Sequence, residues 1–441
     1  MGTTLRRPDG PRGRFMLGNT FDYDRDRIGF LRRAQQRFGD VFRFSDDTTV
    51  VLDPELIHEI FVRTNSDFFA ESPVFARRRT VARRFQDDAP RTMISRHKSW
   101  QGMKRSVVSA HGARLVRNFD AVMAQCGDDD VDVLSVMKAF SARAVADFCI
   151  GGDGADAEAV AEAVAEAVSA AAGAAAEIMD RSVTPPFWLP QPTVLRVHRT
   201  SRRLARRLDR VIAHRSASAA APVPRDLLDV LLAPHGRCLS EEAIRDLLEV
   251  VLRASHGVPG AALAWAVRAF AQDPGLLERV RAEAGPARAA AAGAPVAASD
   301  LPYTEAVVKE LLRAYTPTWL MGRVVGRPTS LGPWEFLPGE QVMFSPYLVH
   351  NDHRWWSAPD RVRPERWLIA EQPHARYAYF PFGAGARVCL GSQLGLLQLT
   401  LAIARLADIC DIDVVDFPGT VHPRALFEPS GLRARFRPAA R

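Results

Sequence analysis

A glycine-rich run that ends in a cysteine, and that leads directly into a long apolar helix pattern, constrains this chain most. Residues 382–391 read Phe-Gly-Ala-Gly-Ala-Arg-Val-Cys-Leu-Gly, and apolar residues then recur at helical spacing from Leu394 to Ile409. The unpaired amides at the N-terminus of such a helix carry partial positive charge, which lowers the pKa of a nearby cysteine. The pattern therefore predicts a thiolate at Cys389 in a tight turn before a buried helix.

The residue types around Cys389 suit a thiolate ligand of haem iron. Gly385 and Gly391 would let the backbone run close to a flat macrocycle and donate amide hydrogen bonds to the sulfur, while Phe382 would screen it. Arg387 has the planar fork that pairs with a haem propionate. The alternative is a glycine-rich turn with a buried cysteine that binds nothing, but five fixed positions in ten disfavour it.

The composition indicates a soluble cytoplasmic protein. The 441 residues are 47% hydrophobic, which is ample for a sizeable core, and the five cysteines are scattered without a CxxC pair. Such cysteines are typical of reduced thiols rather than a disulfide framework. Residues 1–20, which we expect to be extended or flexible, lack an apolar signal-peptide core, and no run of about 18 apolar residues predicts a membrane span.

The net charge of +7 raises the question of a nucleic-acid partner. Arginines are spread along the whole length, and the sequence contains no basic-aromatic module or zinc finger, so we predict no nucleic-acid binding. A local basic face for an acidic protein partner fits the same charge.

The elements predicted from periodicity are mainly helical. The longest helix candidate starts after Ser240 and continues to Phe270, and at about 1.5 Å per residue it would run through the core. Strand-like runs occur at Val41–Phe44 and Thr49–Leu52, and a loop is predicted at Gly285–Ser299.

Two further motifs precede the cysteine run. Glu310 and Arg313 form an ExxR pair on one helix face, and residues 364–367 read Pro-Glu-Arg-Trp. In this order and spacing, the three motifs resemble the cytochrome P-450 haem-thiolate family, of the soluble bacterial type. The resemblance implies a mainly α fold with small β-sheets, formed as a single triangular-prism domain over residues 1–441. Haem b would lie between the long central helix and the cysteine-ligand segment.

The resemblance also assigns roles to matching residues. Glu310, Arg313 and Arg366 match the buried ionic triad that supports the haem site. Arg323 matches an arginine that reaches a haem propionate from a strand. Trp100 and Lys104 match a tryptophan and a basic residue, four positions apart, on the helix that covers the other propionate. Lysine stands here in place of the usual arginine.

The sequence departs from the family pattern in the central helix, where an acid followed by threonine normally delivers protons during oxygen activation. Here Ser255 and His256 are followed by Gly257 and Val258, neither of which can carry a proton, and then by Pro259. Three explanations stay open. The relay runs through water with help from Ser255, His256 or a substrate hydroxyl; the enzyme uses peroxide directly; or the reaction needs no ordinary relay, as in oxidative coupling, ring closure, rearrangement or dehydration.

The function that these features imply is a monooxygenase that oxidises a hydrophobic natural-product intermediate with O2. No flavin or ferredoxin module is visible, so electrons would come from a separate ferredoxin and ferredoxin reductase, with docking near Lys104 and Arg105. Four segments match regions that line the substrate pocket: 75–95, 254–261, 319–321 and 427–430. A non-catalytic helper protein of the same fold is the alternative from another class.

Overall fold

The computed structural model describes residues 6–13, 19–69, 103, 105–151, 154–180, 192–218, 224–233, 239–417, 419 and 421–439. Within these ranges the helices are α1 (Thr20–Arg25), α2 (Arg27–Phe38), α3 (Pro54–Val62), α4 (Arg105–Ala110), α5 (Gly112–Met123), α6 (Val133–Ile150), α7 (Gly154–Asp180), α8 (Pro192–Ser216), α9 (Leu227–Leu232), α10 (Glu241–Gln272), α11 (Pro274–Glu283), α12 (Gly285–Ala291), α13 (Pro302–Ala314), α14 (Pro346–His350) and α15 (Ser392–Ile409). The strands are β1 (Val41–Ser45), β2 (Thr48–Val51), β3 (Phe68–Phe69), β4 (Val131–Asp132), β5 (Met321–Val325), β6 (Thr329–Leu331), β7 (Trp334–Phe336), β8 (Gln341–Phe344), β9 (Cys410–Asp416) and β10 (Arg433–Pro438).

The chain divides into two compact units. The first comprises residues 1–93, 306–390 and 419–428, and the second comprises residues 94–305, 391–418 and 429–441. The single domain over residues 1–441 stays a prediction.

The first unit is built around a five-stranded sheet in the order β1-β2-β8-β5-β3. β1 and β2 form an antiparallel pair, β2 runs parallel to β8, and β8 pairs antiparallel with β5. Aromatic side chains fill the core beside the sheet, where the Phe61 ring lies edge-on to Phe344 and Phe380 with centroids 5.3 and 5.6 Å away. This core positions the cysteine segment, because Phe380 lies at its start.

The second unit is mainly helical, and its centre is α10, which packs against α6, α8 and α15. α10 approaches α6 so closely at Gly260 that an added Cβ would lie 2.7 Å from Cγ of Lys138. Pro259 lies inside this helix, one residue before that contact. A small sheet in the order β4-β10-β9 completes the unit.

The helix and strand predictions are confirmed with one exception. α10 begins after Ser240, whose hydroxyl accepts a hydrogen bond from the amide of Ala243 (3.2 Å), and both predicted strands form as β1 and β2. The loop predicted over residues 285–299 is wrong in its first part, because residues 285–291 form α12, whereas residues 292–297 are irregular. Pro286 lies in the first turn of α12, where its missing N–H costs no hydrogen bond. Ala287 and Ala290 are buried, so the helix also packs against the protein.

Among the described residues, α10 is long and apolar enough to cross a membrane by length and composition alone. In its most apolar stretch, 56% of the residues are buried inside the protein. A core helix has the same properties, so α10 is weak evidence for a membrane span.

Candidate active site

The ExxR pair and the PERW run meet at one carboxylate, which is fully buried. Both oxygens of Glu310 accept hydrogen bonds from Arg313, at 3.1 Å from Nε and 2.9 Å from a terminal nitrogen. Arg366 Nε donates to the same carboxylate at 3.1 Å, and so does the indole of Trp367 at 2.9 Å. The amide of Arg363 completes the set at 2.9 Å. The predicted triad is therefore one hydrogen-bonded cluster, with Glu310 at its centre.

The two arginines of the triad also hold backbone carbonyls. Arg313 donates to the carbonyls of His350 (2.9 Å) and Arg361 (3.1 Å), and Arg366 donates to those of Ser357 (3.0 Å) and Ala358 (3.3 Å). Burial lowers the pKa of Arg366, although the charge of Glu310 opposes that effect. Breaking the cluster would therefore leave buried charges without compensation and free several loop carbonyls.

The cysteine segment is a turn that runs directly into α15. Gly383 and Gly385 have φ angles of 68° and 65°, a region that glycine adopts without strain. The amide of Cys389 donates to the carbonyl of Phe382 (2.8 Å), which closes the turn, and α15 begins at Ser392. A Cβ at Gly385 would lie 2.2 Å from the carbonyl oxygen of Phe61, so this glycine permits close packing on α3.

Cys389 differs from the other described cysteines in its exposure. Its side chain is exposed, whereas Cys126, Cys149 and Cys410 are buried. Burial raises the pKa of the Cys410 thiol to about 12, with a further rise from Cys126 and Asp411, and burial also raises the pKa of Cys126 and Cys149. Those three remain protonated thiols, whereas a metal ligand must be a thiolate. Cys238 lies outside the described residues.

The two arginines predicted to face propionates lie near each other. Arg323 is only 6% exposed, and its Nε donates to the hydroxyl of Thr64 (3.3 Å). Arg387 Nε donates to the side-chain oxygen of Asn65 (2.9 Å). Burial, together with the charge of Arg387, lowers the pKa of Arg323 to about 10. Among the residues that the structure describes, no carboxylate pairs with Arg323.

These features fit a flat group that carries two carboxylates. The neighbouring charges of Arg323 and Arg387 would be neutralised by anionic oxygens, which would relieve the repulsion that lowers the pKa of Arg323. Next to Cys389, at Gly391, an added Cβ would meet no atom within 4 Å, so the backbone borders open space. A soft sulfur suits haem iron, and two arginines suit the carboxylates of its propionates.

The oxygen-side segment is helical throughout. Ser255, His256, Gly257 and Val258 all lie in α10, and His256 is buried against α6 near Lys138. Burial and the charge of Lys138 lower the pKa of His256 to about 4, so the imidazole is neutral at pH 7. Val258 is two residues further on, about 200° around the helix, and so faces away from His256.

Trp319 and Phe427, from two of the predicted pocket-lining segments, both lie in the first unit. The amide of Phe427 donates to the carbonyl of Pro317 (2.8 Å), and the indole of Trp319 donates to the carbonyl of Arg424 (2.9 Å). Trp319 is 2% exposed, so its side chain is a packing element. Residues 75–95, together with Trp100 and Lys104, lie outside the described residues.

The cytochrome P450 family model matches residues 8–417. The chain belongs to the cytochrome P450 family. This family binds haem iron through a thiolate, which confirms the predicted cofactor class.

Two curated relatives from Streptomyces melanosporofaciens are similar to this chain. Cyclooctatin synthase of Streptomyces melanosporofaciens is 32% identical over 210 residues, which is 46% of this chain and 46% of that protein. Cyclooctat-9-en-7-ol 5-monooxygenase of the same organism is 32% identical over 227 residues, 50% of this chain and 48% of that protein. The chain thus spans about half the length of these relatives.

A solved P450 structure confirms the fold class. The cytochrome P450DA heme domain superposes with a TM-score of 0.81 at 19% identity, and the match covers 99% of this chain and 98% of that one. The predicted mainly α fold with small β-sheets is therefore the P450 fold.

Sequence analysis of this P450 missed several residues that contact the site. Trp367 belongs to the PERW motif, and its indole donates a hydrogen bond to Glu310 that the motif alone does not indicate. Asn65, which holds Arg387, and His350, whose carbonyl accepts from Arg313, carry no motif. They lie far from the cysteine run in sequence, so only the tertiary structure reveals them.

A charged cavity among the described residues does not match the expected P450 substrate pocket. It measures about 740 Å³ and is lined by Asp128, Asp129, Asp130, Arg435 and Arg437. Ion pairs join Arg435 to Asp130 and Arg437 to Asp413. This charged groove contains none of the predicted site residues and does not suit an apolar ligand.

Proposed function

We propose that this P450 is a cytoplasmic monooxygenase in which Cys389 is the axial ligand of haem iron. The observation that carries the proposal is the exposed Cys389, set in a closed turn before α15, in a chain where the other described cysteines are buried. When bound through a thiolate, haem supplies the activation of O2 for insertion into a substrate.

The residues around Cys389 have distinct tasks in this proposal. Arg323 and Arg387 would each bind a propionate, and Phe382 holds the turn through its carbonyl. Trp100 and Lys104 would contact the propionate that Arg323 does not reach. The cluster of Glu310, Arg313 and Arg366 fixes the loops that precede the cysteine segment and touches no reacting atom.

Proton delivery in this enzyme differs from the acid-threonine arrangement. Gly257 and Val258 carry no proton, and Pro259 has no amide to donate to the carbonyl of Ser255. That carbonyl is therefore available to a water molecule, which we propose as the proton carrier, assisted by the Ser255 hydroxyl or a substrate hydroxyl. His256 is buried and neutral near Lys138 of α6, so we assign it no proton-carrying role.

The substrate in this proposal is a hydrophobic natural-product intermediate. Support comes from the relatives, one of which is named a cyclooctat-9-en-7-ol monooxygenase. Electrons would come from a separate ferredoxin and ferredoxin reductase, which suits the net charge of +7 because ferredoxins are acidic.

A second candidate is a P450 that carries out oxidative coupling, ring closure or rearrangement without inserting oxygen. The observation that favours it is the lack of a proton-carrying side chain at Gly257 and Val258. Oxidation driven by peroxide would also bypass the relay.

One experiment separates these functions. Lipophilic metabolites, beginning with cyclooctat-9-en-7-ol, are screened by the change in iron spin state, and those that bind are incubated with ¹⁸O2, a ferredoxin and its reductase. The monooxygenase proposal predicts one ¹⁸O atom per product molecule. An oxidised product without ¹⁸O would favour the second candidate, and turnover with peroxide alone would favour the peroxide route.

Replacing Val258 by threonine tests the proposed proton route. A positioned proton donor contributes a factor of about 10² or more, so Val258→Thr should change the ratio of product formed to electrons consumed by at least about twofold. Haem content should stay unchanged. The ratio is measured from NADPH consumption and product yield, with a bound substrate from the spin-state screen.

Val250→Thr is the matched control, since Val250 lies on the same helix and is 67% exposed. It should leave the ratio unchanged. If both variants behave like the original protein, the valine at position 258 has no part in proton delivery.

A further inference from the structure

We propose that His350 is a positioning residue that ties the cysteine segment to the helix of the ionic triad. The proposal rests on Cys389 as the haem ligand. It assigns a role to a side chain that no motif singles out and that lies 39 positions before the cysteine in sequence.

His350 ends α14 and is completely buried. The amide of Phe380 donates to its Nε2 at 3.0 Å. Its Nδ1 lies 3.0 Å from the hydroxyl of Thr316, two residues beyond α13. Its backbone carbonyl accepts from Arg313 at 2.9 Å. His350 therefore contacts both the end of the triad helix and the start of the cysteine segment.

These hydrogen bonds determine the tautomer. Nε2 faces an N–H donor and must accept, so the proton of the neutral imidazole is on Nδ1. The Thr316 hydroxyl donates to the carbonyl of Leu312 (2.8 Å) or Arg313 (2.9 Å), and its oxygen is therefore able to accept from Nδ1. One protonation state of His350 satisfies all of these contacts.

The bond to Phe380 acts on the turn that carries Cys389. The carbonyl of Phe380 accepts from the amide of Gly383 (3.0 Å), and the carbonyl of Phe382 accepts from the amide of Cys389 (2.8 Å). The bond from His350 therefore fixes Phe380, the residue at which the first of these two turn bonds begins. Losing the acceptor would leave a buried N–H unsatisfied at the start of the turn.

The surroundings of His350 keep it neutral. Burial, then the charge of Arg313, then His374 hold its pKa well below 6.5. The rings of Trp356, Tyr379 and Phe380 cover it, and no described carboxylate forms an ion pair with it. Protonation would direct a second N–H at the Phe380 amide and place a cation beside Arg313.

Paired substitutions separate positioning from packing. In His350→Gln the amide oxygen can occupy the Nε2 position and accept from Phe380, whereas in His350→Asn the amide is too short to do so but can reach Thr316. At pH 7.5, haem transfer to apomyoglobin should accelerate on the order of tenfold in His350→Asn, and much less in His350→Gln. Hydrogen exchange at the Phe380 amide, measured by mass spectrometry, should accelerate in the same order.

The pH dependence supplies a test on the unmodified protein. In the folded protein the pKa of His350 is lowered, whereas in a state with the cysteine segment opened His350 has its ordinary pKa. As pH falls, His350 is therefore protonated first in the opened state, which favours opening. The stabilisation is complete above pH about 6.5 and declines as pH falls toward the folded pKa. Haem transfer should therefore accelerate between pH 6.5 and 5, and His350→Gln should show a smaller acceleration.

Equal effects of the two substitutions on haem transfer and on Phe380 exchange would overturn the proposal. If neither variant folds, the unmodified protein decides, because a transfer rate independent of pH between 6.5 and 5 would also overturn it. Absence of a thiolate haem spectrum in the unmodified protein contradicts the proposed function instead. In that case Phe380 exchange in the two variants still tests the contact itself.

Discussion

Replacing Glu310 by glutamine is expected to lower the free energy of unfolding by about 3 to 5 kcal/mol. The substitution keeps the size of the side chain but removes the negative charge between Arg313 and Arg366. Those side chains are 0% and 6% exposed, so water cannot replace the lost carboxylate. The measurement is guanidinium-induced unfolding of the haem-loaded protein, followed by tryptophan fluorescence.

Glu242→Gln is the matched control for charge removal. Glu242 lies in the first turn of α10, its side chain is 77% exposed, and its ion pair with Arg245 is long, at 3.6 Å. An exposed pair contributes about 0 to 1 kcal/mol, so this variant should unfold almost like the original protein. A similar small change for Glu310→Gln would show that the triad does not stabilise the fold.

Replacing Cys389 by serine is expected to remove the thiolate signature of the haem completely while leaving the fold intact. The exposed side chain makes no contribution to a packed core, so the far-ultraviolet circular dichroism should not change. A serine hydroxyl is not a soft ligand and stays protonated near neutral pH. The measurement is electron paramagnetic resonance of the ferric protein, in which thiolate ligation gives a characteristic low-spin signal.

Cys410→Ser separates this effect from general damage by cysteine removal. Cys410 is buried at the start of β9, and burial raises the pKa of its thiol to about 12. Its replacement should cost some stability and leave the thiolate signal in place. Survival of the thiolate signal in Cys389→Ser would show that the ligand assignment is wrong, and loss of the signal in Cys410→Ser would assign it to Cys410 instead.

The sequence predicted the elements whose causes are local. Ser240 caps α10 as its residue type indicates, and the glycines before Cys389 adopt the positive φ angles that such turns need. The triad was predicted from a family resemblance, and the structure supplies its geometry. α12 was missed because alanine, glycine and proline together indicate a loop unless the position of the proline in a first turn is known.

The remaining site contacts join segments far apart in the chain. Asn65 holds Arg387 across 322 positions, and His350 reaches Phe380 across 30. No periodicity or spacing encodes such pairs, because they depend on how the sheet and the loops of the first unit pack. The requirement for glycine at position 385 also depends on a distant segment, because a Cβ there would collide with the carbonyl oxygen of Phe61 on α3.

The two sides of the proposed haem site differ in how closely they follow the family. The thiolate side carries the family's motif residues, whereas the oxygen side has Gly257 and Val258 in place of an acid and threonine. Membership in the P450 family therefore does not by itself establish hydroxylation.

The most direct test of the central claim is the absorption spectrum of the purified protein, reduced and exposed to carbon monoxide. Cys389 as an axial thiolate predicts the long-wavelength Soret band typical of thiolate-ligated haem. A protein that binds haem but shows only the shorter-wavelength band of a neutral ligand, or that binds no haem, would contradict the claim.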